Sequence, residues 1–175
     1  MTTKILNKTL IRRVIFSPIT ALHGIVLIFR HALFDKGFMT SQHAVIPTLV
    51  IGNIHAGGTG KTPHASALLN IFAERLGGAE NVALLSRGYG RRSTGFVWVQ
   101  EHEDWREFGD EPFLLKQLHP KHPIAVSENR LSGVALIKRD KPHVRLVILD
   151  DGLQHRKLIP HKSIVLLDAQ RPLNQ

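Results

Sequence analysis

The stretch from residue 47 to residue 76 constrains the fold more than any other part of the chain. Residues 47–53 form a short apolar run rich in β-branched side chains, which predicts a buried strand. A glycine-rich turn follows, and a helix is predicted to begin at Lys61, with Pro63 in its first turn where a missing N–H group costs nothing. Apolar residues then recur at helical spacing up to Leu76. This order of strand, turn and helix is typical of an α/β fold.

The turn itself predicts a phosphate-binding loop. Glycines allow several backbone N–H groups to converge on one anion, and the helix N-terminus adds partial positive charge. Lys61 would reach the β- and γ-phosphates of a nucleotide, and the Thr62 hydroxyl would hold Mg²⁺. The strict pattern has glycine where this chain has His55, so an ordinary glycine-rich turn stays open as the alternative. The predicted nucleotide-binding residues are His55, Ala56, Gly57, Gly58, Thr59, Gly60, Lys61 and Thr62.

Two further predicted strands end in charged residues. Residues 81–86 run into an arginine- and glycine-rich loop over residues 87–92, and carboxyl ends of strands are where open α/β sheets bind ligands. Residues 144–149 end in Asp150 and Asp151, the arrangement of a Walker-B strand that reaches a magnesium ion directly or through water. The alternatives are a solvated basic turn for the first loop and an Asp-Gly turn for the second.

A pair of carboxylates also stands at the start of a predicted helix. Residues 109–112 read Gly-Asp-Glu-Pro and open an apolar helical segment over residues 113–118. By pattern alone, Asp110 and Glu111 are explained by the preference of acidic side chains for a helix N-terminus.

The remaining pattern completes the fold class. Residues 95–100, 123–127 and 163–168 are predicted strands, residues 129–138 a helix, and residues 105–108 a possible hairpin partner of residues 95–100. Strands alternating with helices predict a phosphate-loop NTPase-like α/β domain over residues 47–175, with a mostly parallel sheet and helices on both faces.

Residues 1–46 are predicted to be a separate membrane-associating segment and connector. The chain carries 23 basic and 14 acidic residues, and the first 31 residues contain no acid. Residues 14–29 are apolar but too short and interrupted to be a firm transmembrane helix, since 1.5 Å per residue spans less than the roughly 30 Å hydrocarbon core. A helix in the membrane interface is favoured over one packed on the soluble core. No nucleic-acid-binding module is recognisable, so an anionic lipid surface or a phosphorylated substrate better explains the charge.

Five motifs in register resemble those of the tetraacyldisaccharide 4'-kinase family, the lipid A 4'-kinases of Gram-negative bacteria. The resemblance covers nearly the whole chain from about residue 10. It implies transfer of the γ-phosphate of ATP, with Mg²⁺, to the 4'-hydroxyl of an acylated disaccharide 1-phosphate at the cytoplasmic face of the inner membrane, giving lipid IVA. The motifs are Gly-Asn-x-x-x-Gly-Gly-Thr-Gly-Lys-Thr-Pro, Ser-Arg-Gly-Tyr-Gly, Gly-Asp-Glu-Pro, Asp-Asp-Gly-Leu-Gln-His and Leu-Asp-Ala-Gln-Arg-Pro.

The resemblance also implies roles for individual residues. Asp110 matches the family's proposed catalytic base, and Lys61 the phosphate-binding lysine. The metal and its water shell would be held by Thr62, Glu111, Asp150 and Asp151. The lipid head group or phosphates would contact Arg87, Tyr89, Arg130, Gln154 and His155.

The chain departs from the family in length. Family members continue past the Arg-Pro segment with a lid and a second domain, which contribute a histidine and part of the nucleotide pocket. We therefore expect the 175-residue polypeptide alone to be inactive or nearly so. Two alternatives stay open: a nucleotide-operated switch or partitioning ATPase, which the absence of a lysine at Ala56 disfavours, and a non-catalytic membrane-bound remnant.

Overall fold

The structure is a computed structural model that describes residues 32–34, 36–53, 60–153 and 155–168. The chain divides into two units, residues 1–41 and residues 42–175. In the first unit, residues 32–34 are helical and a turn follows, with the Met39 N–H donating to the Leu33 carbonyl at 3.1 Å. The predicted interface helix over residues 14–29 lies outside the described residues. Within the described ranges, no helix is both long and apolar enough to cross a bilayer.

The second unit is built on a six-stranded sheet in the order β4-β5-β3-β6-β2-β8. Only β4 runs antiparallel to its neighbour, β5, so the prediction of a mostly parallel sheet is confirmed. Strands β1 and β7 pair separately, in parallel. The strands are β1 Gln42–His43, β2 Thr48–Asn53, β3 Val82–Ser86, β4 Val97–Trp98, β5 Ile124–Val126, β6 Leu146–Asp150, β7 Leu158–Ile159 and β8 Lys162–Leu166.

Among the described residues, three α-helices cover the sheet: α1 Lys61–Leu76, α2 Asp110–Leu118 and α3 Arg130–Asp140. Side chains of a strand alternate between faces, so each central strand contributes to two apolar clusters. Val50 and Leu149 pack in the cluster that contains Ile137 of α3. Ile51 lies in the other cluster, which contains Leu69 of α1 and Leu115 of α2. Helices therefore pack on both faces, as the alternating pattern predicts.

Local chemistry sets the helix ends. Gly77 ends α1 in the left-handed region, with φ of 82°, and donates its N–H to the Ala73 carbonyl. The Asn129 side chain caps α3 by accepting from the Ser132 N–H at 3.2 Å. The glycine stop and the start of α3 are therefore where the sequence predicts them.

Three short elements differ from the sequence prediction. The hairpin between residues 95–100 and 105–108 is wrong, because Trp105–Glu107 is a 3₁₀ helix capped by the Asp104 side chain. Strand β4 is only two residues long and pairs with β5 instead. The predicted connector before residue 47 contains β1, which belongs to the second unit because it pairs with β7.

Candidate functional site

The two strands that carry the phosphate loop and the paired aspartates are neighbours. β2 and β6 are parallel with Ile51 opposite Asp150, so their carboxyl ends meet at one edge of the sheet. The Asp151 N–H continues the pairing by donating to the Ile51 carbonyl at 3.0 Å. Asp151 then adopts a φ of 53°, in the left-handed region, and its Oδ1 lies 3.8 Å from the Lys61 Nζ. The predicted lysine and one of the predicted acids therefore form an ion pair.

Lys61 is held between two oxygens at the start of α1. Its Nζ donates to the Asn53 Oδ1 at 3.1 Å, and its side chain is only 17% exposed. Gly60, immediately before the helix, has a φ of 77°, which favours glycine. Thr62 is half-buried in the first turn. The predicted loop residues His55, Ala56, Gly57, Gly58 and Thr59 lie outside the described residues.

Asp150 is a buried carboxylate with one unsatisfied oxygen. It is 1% exposed, and its Oδ2 accepts from the Ser86 Oγ at 3.4 Å. Its Oδ1 has no hydrogen-bond partner among the described residues. Burial, followed by the negative charges of Glu111 and Asp151, raises the pKa of Asp150 to about 6. The site therefore concentrates negative charge that the protein alone does not fully compensate.

The structure corrects the predicted role of Arg130 as a substrate contact. The side chain is fully buried, and its guanidinium donates to the carbonyl oxygens of Ser127 and, at 3.1 Å, Asp150. Burial lowers the pKa of Arg130 to about 10, so the group stays protonated at neutral pH. Arg130 therefore supports the end of β6 from inside the fold. It does not contact a substrate, because its side chain has no exposed surface.

The loop after β3 packs directly on the start of α2. A Cβ atom on Gly88 would lie 2.5 Å from the Phe108 carbonyl oxygen, and one on Gly109 would lie 3.0 Å from the Tyr89 oxygen. Only glycine permits this approach. The Asp110 Oδ1 accepts from the Glu111 N–H at 2.9 Å, and the Asp110 side chain remains exposed to solvent.

The other described residues of the predicted site lie on the loops after β3 and β6 and at the start of α2. Arg87 and Tyr89 are exposed on the loop that contacts Gly109, with Tyr89 at 87%. Glu111 is close enough for its charge to act on Asp150. His155 is half-buried in the turn after Gly152, whereas Gln154 lies outside the described residues. Sequence reasoning missed Asn53 and Ser86, although both are polar residues at the last position of a buried strand.

The donor set fits a hard cation shared with a phosphate group. Among the described residues, no three His, Asp or Glu side chains cluster closely enough to hold a metal ion by themselves. Mg²⁺ is commonly bound by one or two carboxylates, with phosphate oxygens and water completing the octahedron. The unpaired Asp150 oxygen beside Asp151 offers that partial set.

A separate cleft opens at the opposite edge of the sheet. It has a volume of about 460 Å³ and is lined by residues at the start of β5, including Pro123 and Ile124, together with Lys116 and Lys141. None of the residues that line it is one of the predicted site residues, so it does not belong to the candidate site.

Comparisons with known proteins all find matches to one family. The family model described as tetraacyldisaccharide-1-P 4'-kinase matches residues 12–175. The chain is 39% identical over 155 residues to a tetraacyldisaccharide 4'-kinase of Bacteroides thetaiotaomicron, covering 88% of this chain and 40% of that protein. It is 38% identical over 161 residues to that of Cytophaga hutchinsonii, covering 91% and 45%. The chain thus spans less than half the length of these relatives.

A solved structure is similar as well. The crystal structure of LpxK from Aquifex aeolicus in complex with ATP superposes with a TM-score of 0.76 at 35% sequence identity. The match covers 93% of this chain and 52% of that one. The sequence and the architecture therefore point to the same group of proteins.

Proposed function

The chain belongs to the tetraacyldisaccharide 4'-kinase family, and from this premise we propose that it serves in transfer of the γ-phosphate of ATP to the 4'-hydroxyl of tetraacyldisaccharide 1-phosphate. The observation that carries the proposal is the 3.8 Å ion pair between Lys61 and Asp151 at the shared edge of β2 and β6. It places a cation at the start of α1 beside acids at the end of a parallel strand, as phosphoryl transfer requires.

Lys61 would bind the nucleotide phosphates. In the structure its ammonium contacts the Asn53 amide oxygen and the Asp151 carboxylate. The groups that would hold Mg²⁺ are the Thr62 hydroxyl and the carboxylates of Asp150, Asp151 and Glu111. A bound Mg²⁺ neutralises charge that develops on the phosphate oxygens.

Asp110 would act as the general base. It is exposed in the first turn of α2, and its Oδ1 accepts from the Glu111 N–H. As the 4'-oxygen bonds to the γ-phosphorus and the bond to ADP breaks, the hydroxyl proton passes to Asp110. Arg87 and Tyr89, on the loop that contacts Gly109, would face the anionic acceptor.

The acidic substrate also bears on location. We propose that the protein works at the cytoplasmic face of the inner membrane as a peripheral or monotopic protein. Support comes from the basic and apolar composition of residues 1–31 and from the lipid nature of the acceptor. Both the acceptor and the membrane surface are anionic, which matches the excess of 23 basic over 14 acidic residues.

The direct experiment measures transfer of labelled γ-phosphate from ATP to tetraacyldisaccharide 1-phosphate in detergent micelles. We expect 4'-phosphorylated product that depends on Mg²⁺ and disappears in Asp110→Asn, even where wild-type turnover is slow. Glu103→Gln, an exposed carboxylate on the turn before the 3₁₀ helix, is the matched control and should behave as wild type. ATP hydrolysis without lipid phosphorylation would identify an ATPase or switch, and failure to bind nucleotide would identify a non-catalytic remnant.

A further inference from the structure

The loop that carries Arg87 and Tyr89 owes its shape to a side chain outside the proposed catalytic set. Residues 87–96 join β3 to β4 without regular secondary structure. A single turn closes within it, where the Arg91 N–H donates to the Gly88 carbonyl at 3.2 Å. A loop of this length needs further contacts to hold one conformation, because each ordered residue loses backbone entropy.

Arg91 supplies those contacts from a largely buried position. Its side chain is 3% exposed, although arginine is a residue seldom buried without a partner. One guanidinium nitrogen donates to the Gly95 carbonyl at 2.6 Å and also pairs with the Glu128 carboxylate. The other terminal nitrogen donates to the Ser93 Oγ at 3.3 Å. The guanidinium thus links the second half of the loop to Glu128, while the Arg91 backbone N–H closes the turn with Gly88 in the first half.

Glu128 completes the cross-link from a different element. It lies between β5 and α3, and its second oxygen accepts from the Gly95 N–H at 3.0 Å. Hydrogen bonds from Arg91 and from the backbone outweigh the opposing effect of burial and lower the pKa of Glu128, so the carboxylate is ionised at neutral pH. Arg91 and Glu128 therefore bind the same loop residue from two sides.

The cross-linked loop is also attached to the segment that precedes Asp110. The Arg92 N–H donates to the Arg106 carbonyl at 2.7 Å, and the Ser93 hydroxyl donates to the Glu107 carbonyl. Two residues further on, the Gly109 backbone approaches the loop so closely that a Cβ atom on it would lie 3.0 Å from the Tyr89 oxygen. The network therefore fixes the exposed Arg87 and Tyr89 relative to the proposed catalytic base.

We propose that Arg91 and Glu128 are a positioning pair that holds residues 87–90 in the conformation that receives the anionic head group of a phosphorylated sugar lipid. The inference rests on the proposed function: the pair would determine how tightly the acceptor binds without affecting how tightly the nucleotide binds. The separation follows from the contacts: Lys61 is held by Asn53 at the end of β2 and by Asp151 just after β6, so loss of the Arg91–Glu128 pair leaves its immediate partners in place.

The test compares Arg91→Gln and Glu128→Gln with wild type in two titrations, one with MgATP and one with tetraacyldisaccharide 1-phosphate in detergent micelles. Each variant loses hydrogen bonds to a charged group, and the free energy of such bonds corresponds to an acceptor affinity about tenfold weaker than that of wild type. The MgATP affinity should stay within about twofold of wild type, because the Lys61 contacts persist. The reversed pair, Arg91→Glu with Glu128→Arg, should recover part of the acceptor affinity.

Arg139→Gln is the matched control. It also removes a guanidinium paired with a carboxylate, Asp140, but on the exposed surface of α3. It should leave both affinities unchanged. Amide hydrogen exchange of residues 87–96 adds a readout independent of ligands, and we expect faster exchange in the two single variants than in Arg139→Gln.

The outcomes separate the inference from the function on which it rests. Equal acceptor affinity and equal exchange in all variants would overturn the positioning pair while leaving the kinase proposal intact. A parallel loss of both affinities would also overturn it, because the pair would then support the fold as a whole. If the wild-type chain binds MgATP but no acceptor, the proposed function fails and the inference fails with it.

Discussion

Asp150 is a buried side chain whose surroundings disfavour its charge. Its pKa of about 6 arises from burial and from two neighbouring carboxylates, Glu111 and Asp151. Ser86 donates to one of its oxygens, and the other has no partner among the described residues. Such an arrangement costs folding free energy, so it is better explained by a ligand cation than by stability.

The first prediction concerns the replacement Asp150→Asn. The folded-state pKa of about 6 lies above the usual 3.8, so the folded chain binds the proton more readily between those values. The contribution of Asp150 to the free energy of unfolding therefore falls as pH rises from 4 to 6, by on the order of 2–3 kcal/mol. Urea denaturation across this range should show a smaller pH-dependent loss for Asp150→Asn than for wild type.

The same substitution separates stability from binding. At pH 7.5 we expect Asp150→Asn to bind MgATP much more weakly than wild type, although it lacks the destabilising charge. Glu103→Gln, on an exposed turn, is the control for loss of one carboxylate. An identical pH profile in wild type and Asp150→Asn would show that Asp150 does not titrate in this range.

Single residues differ in how far sequence predicts their place. Lys61 and Asp151 stand in motifs that place both residues at the carboxyl edge of a parallel sheet, so the shared edge could be predicted, whereas their contact also requires β2 and β6 to be neighbours. Arg130 could not, because an arginine in the first turn of a helix looks the same whether it faces solvent or points inward. Only the packing of α3 against the end of β6 buries it.

At the scale of elements, the contact between the β3–β4 loop and α2 depends on glycine. Gly109 combines a φ of 92° with a backbone oxygen, that of Tyr89, 3.0 Å from where a Cβ would lie. Gly77 at the end of α1 has a similar φ of 82° but nothing within 4 Å. Substitution at Gly77 therefore tests backbone strain alone, whereas substitution at Gly109 tests strain together with crowding.

We predict that Gly77→Ala lowers the free energy of unfolding by about 1 kcal/mol, the cost of a left-handed residue with a Cβ. Gly109→Ala should lower it by about 2–3 kcal/mol, because crowding against the loop adds to the strain. It should also weaken binding of the lipid acceptor, which Gly77→Ala should not. Urea denaturation and acceptor titration check both points, and equal losses in the two variants would contradict the loop contact.

A histidine pair joins α1 to the loop after α2 and predicts acid sensitivity. The His119 Nε2 lies 2.7 Å from the Ser66 Oγ, and the His122 Nδ1 lies 3.0 Å from the Val82 carbonyl oxygen. Burial, aided by the charge of His122, lowers the pKa of His119. Burial is also the main cause that lowers the pKa of His122, with Lys116 adding to it, while the Val82 hydrogen bond and Glu80 oppose it.

Because both folded-state pKa values are lowered, the unfolded chain binds protons more readily. Stability from this pair is present above the usual histidine pKa near 6.5 and is lost as pH falls below it. The double variant His119→Gln/His122→Asn should lose less stability than wild type between pH 7.5 and 5.5. Urea denaturation of both proteins measures the difference between their pH-dependent losses. The comparison with wild type is needed because Asp150 changes stability in the opposite direction over part of this range.

Elements with long, regular patterns were predictable and short ones were not. The buried strands β2, β3 and β6 and the helices α1 and α3 have apolar runs or helical spacing longer than a turn. Strands β1 and β7 have two residues each, too few for any periodicity, and β4 is only two residues of the strand predicted over residues 95–100. Residues 105–107 were mistaken for a strand because a single helical turn shows no period and the cap at Asp104 lies outside the apolar run.

For the whole molecule, alternating strands and helices indicate a parallel sheet but not its order. That order depends on which crossovers pack best, and it places β2 between β6 and β8. The site depends on the direct pairing of β2 with β6, because this pairing aligns Ile51 with Asp150.

Binding at this shared edge should stabilise the folded chain. A ligand at 100 times its dissociation constant adds about 2.7 kcal/mol to the free energy of unfolding. We therefore predict a higher urea midpoint with MgATP than without, and a smaller increase in Lys61→Met. An excess of EDTA should remove most of the effect in wild type, because the proposed Mg²⁺ would offset the charge of the acids and the phosphates. An EDTA-insensitive increase would argue against the metal.

Calorimetric titration of MgATP into the wild-type chain, Lys61→Met and Asp151→Asn tests the central claim most directly. We predict binding at one site in wild type, a loss of about tenfold or more in Lys61→Met, and weaker, less Mg²⁺-dependent binding in Asp151→Asn. Wild-type affinity retained in both variants would contradict a nucleotide site built by the end of β6 and the start of α1.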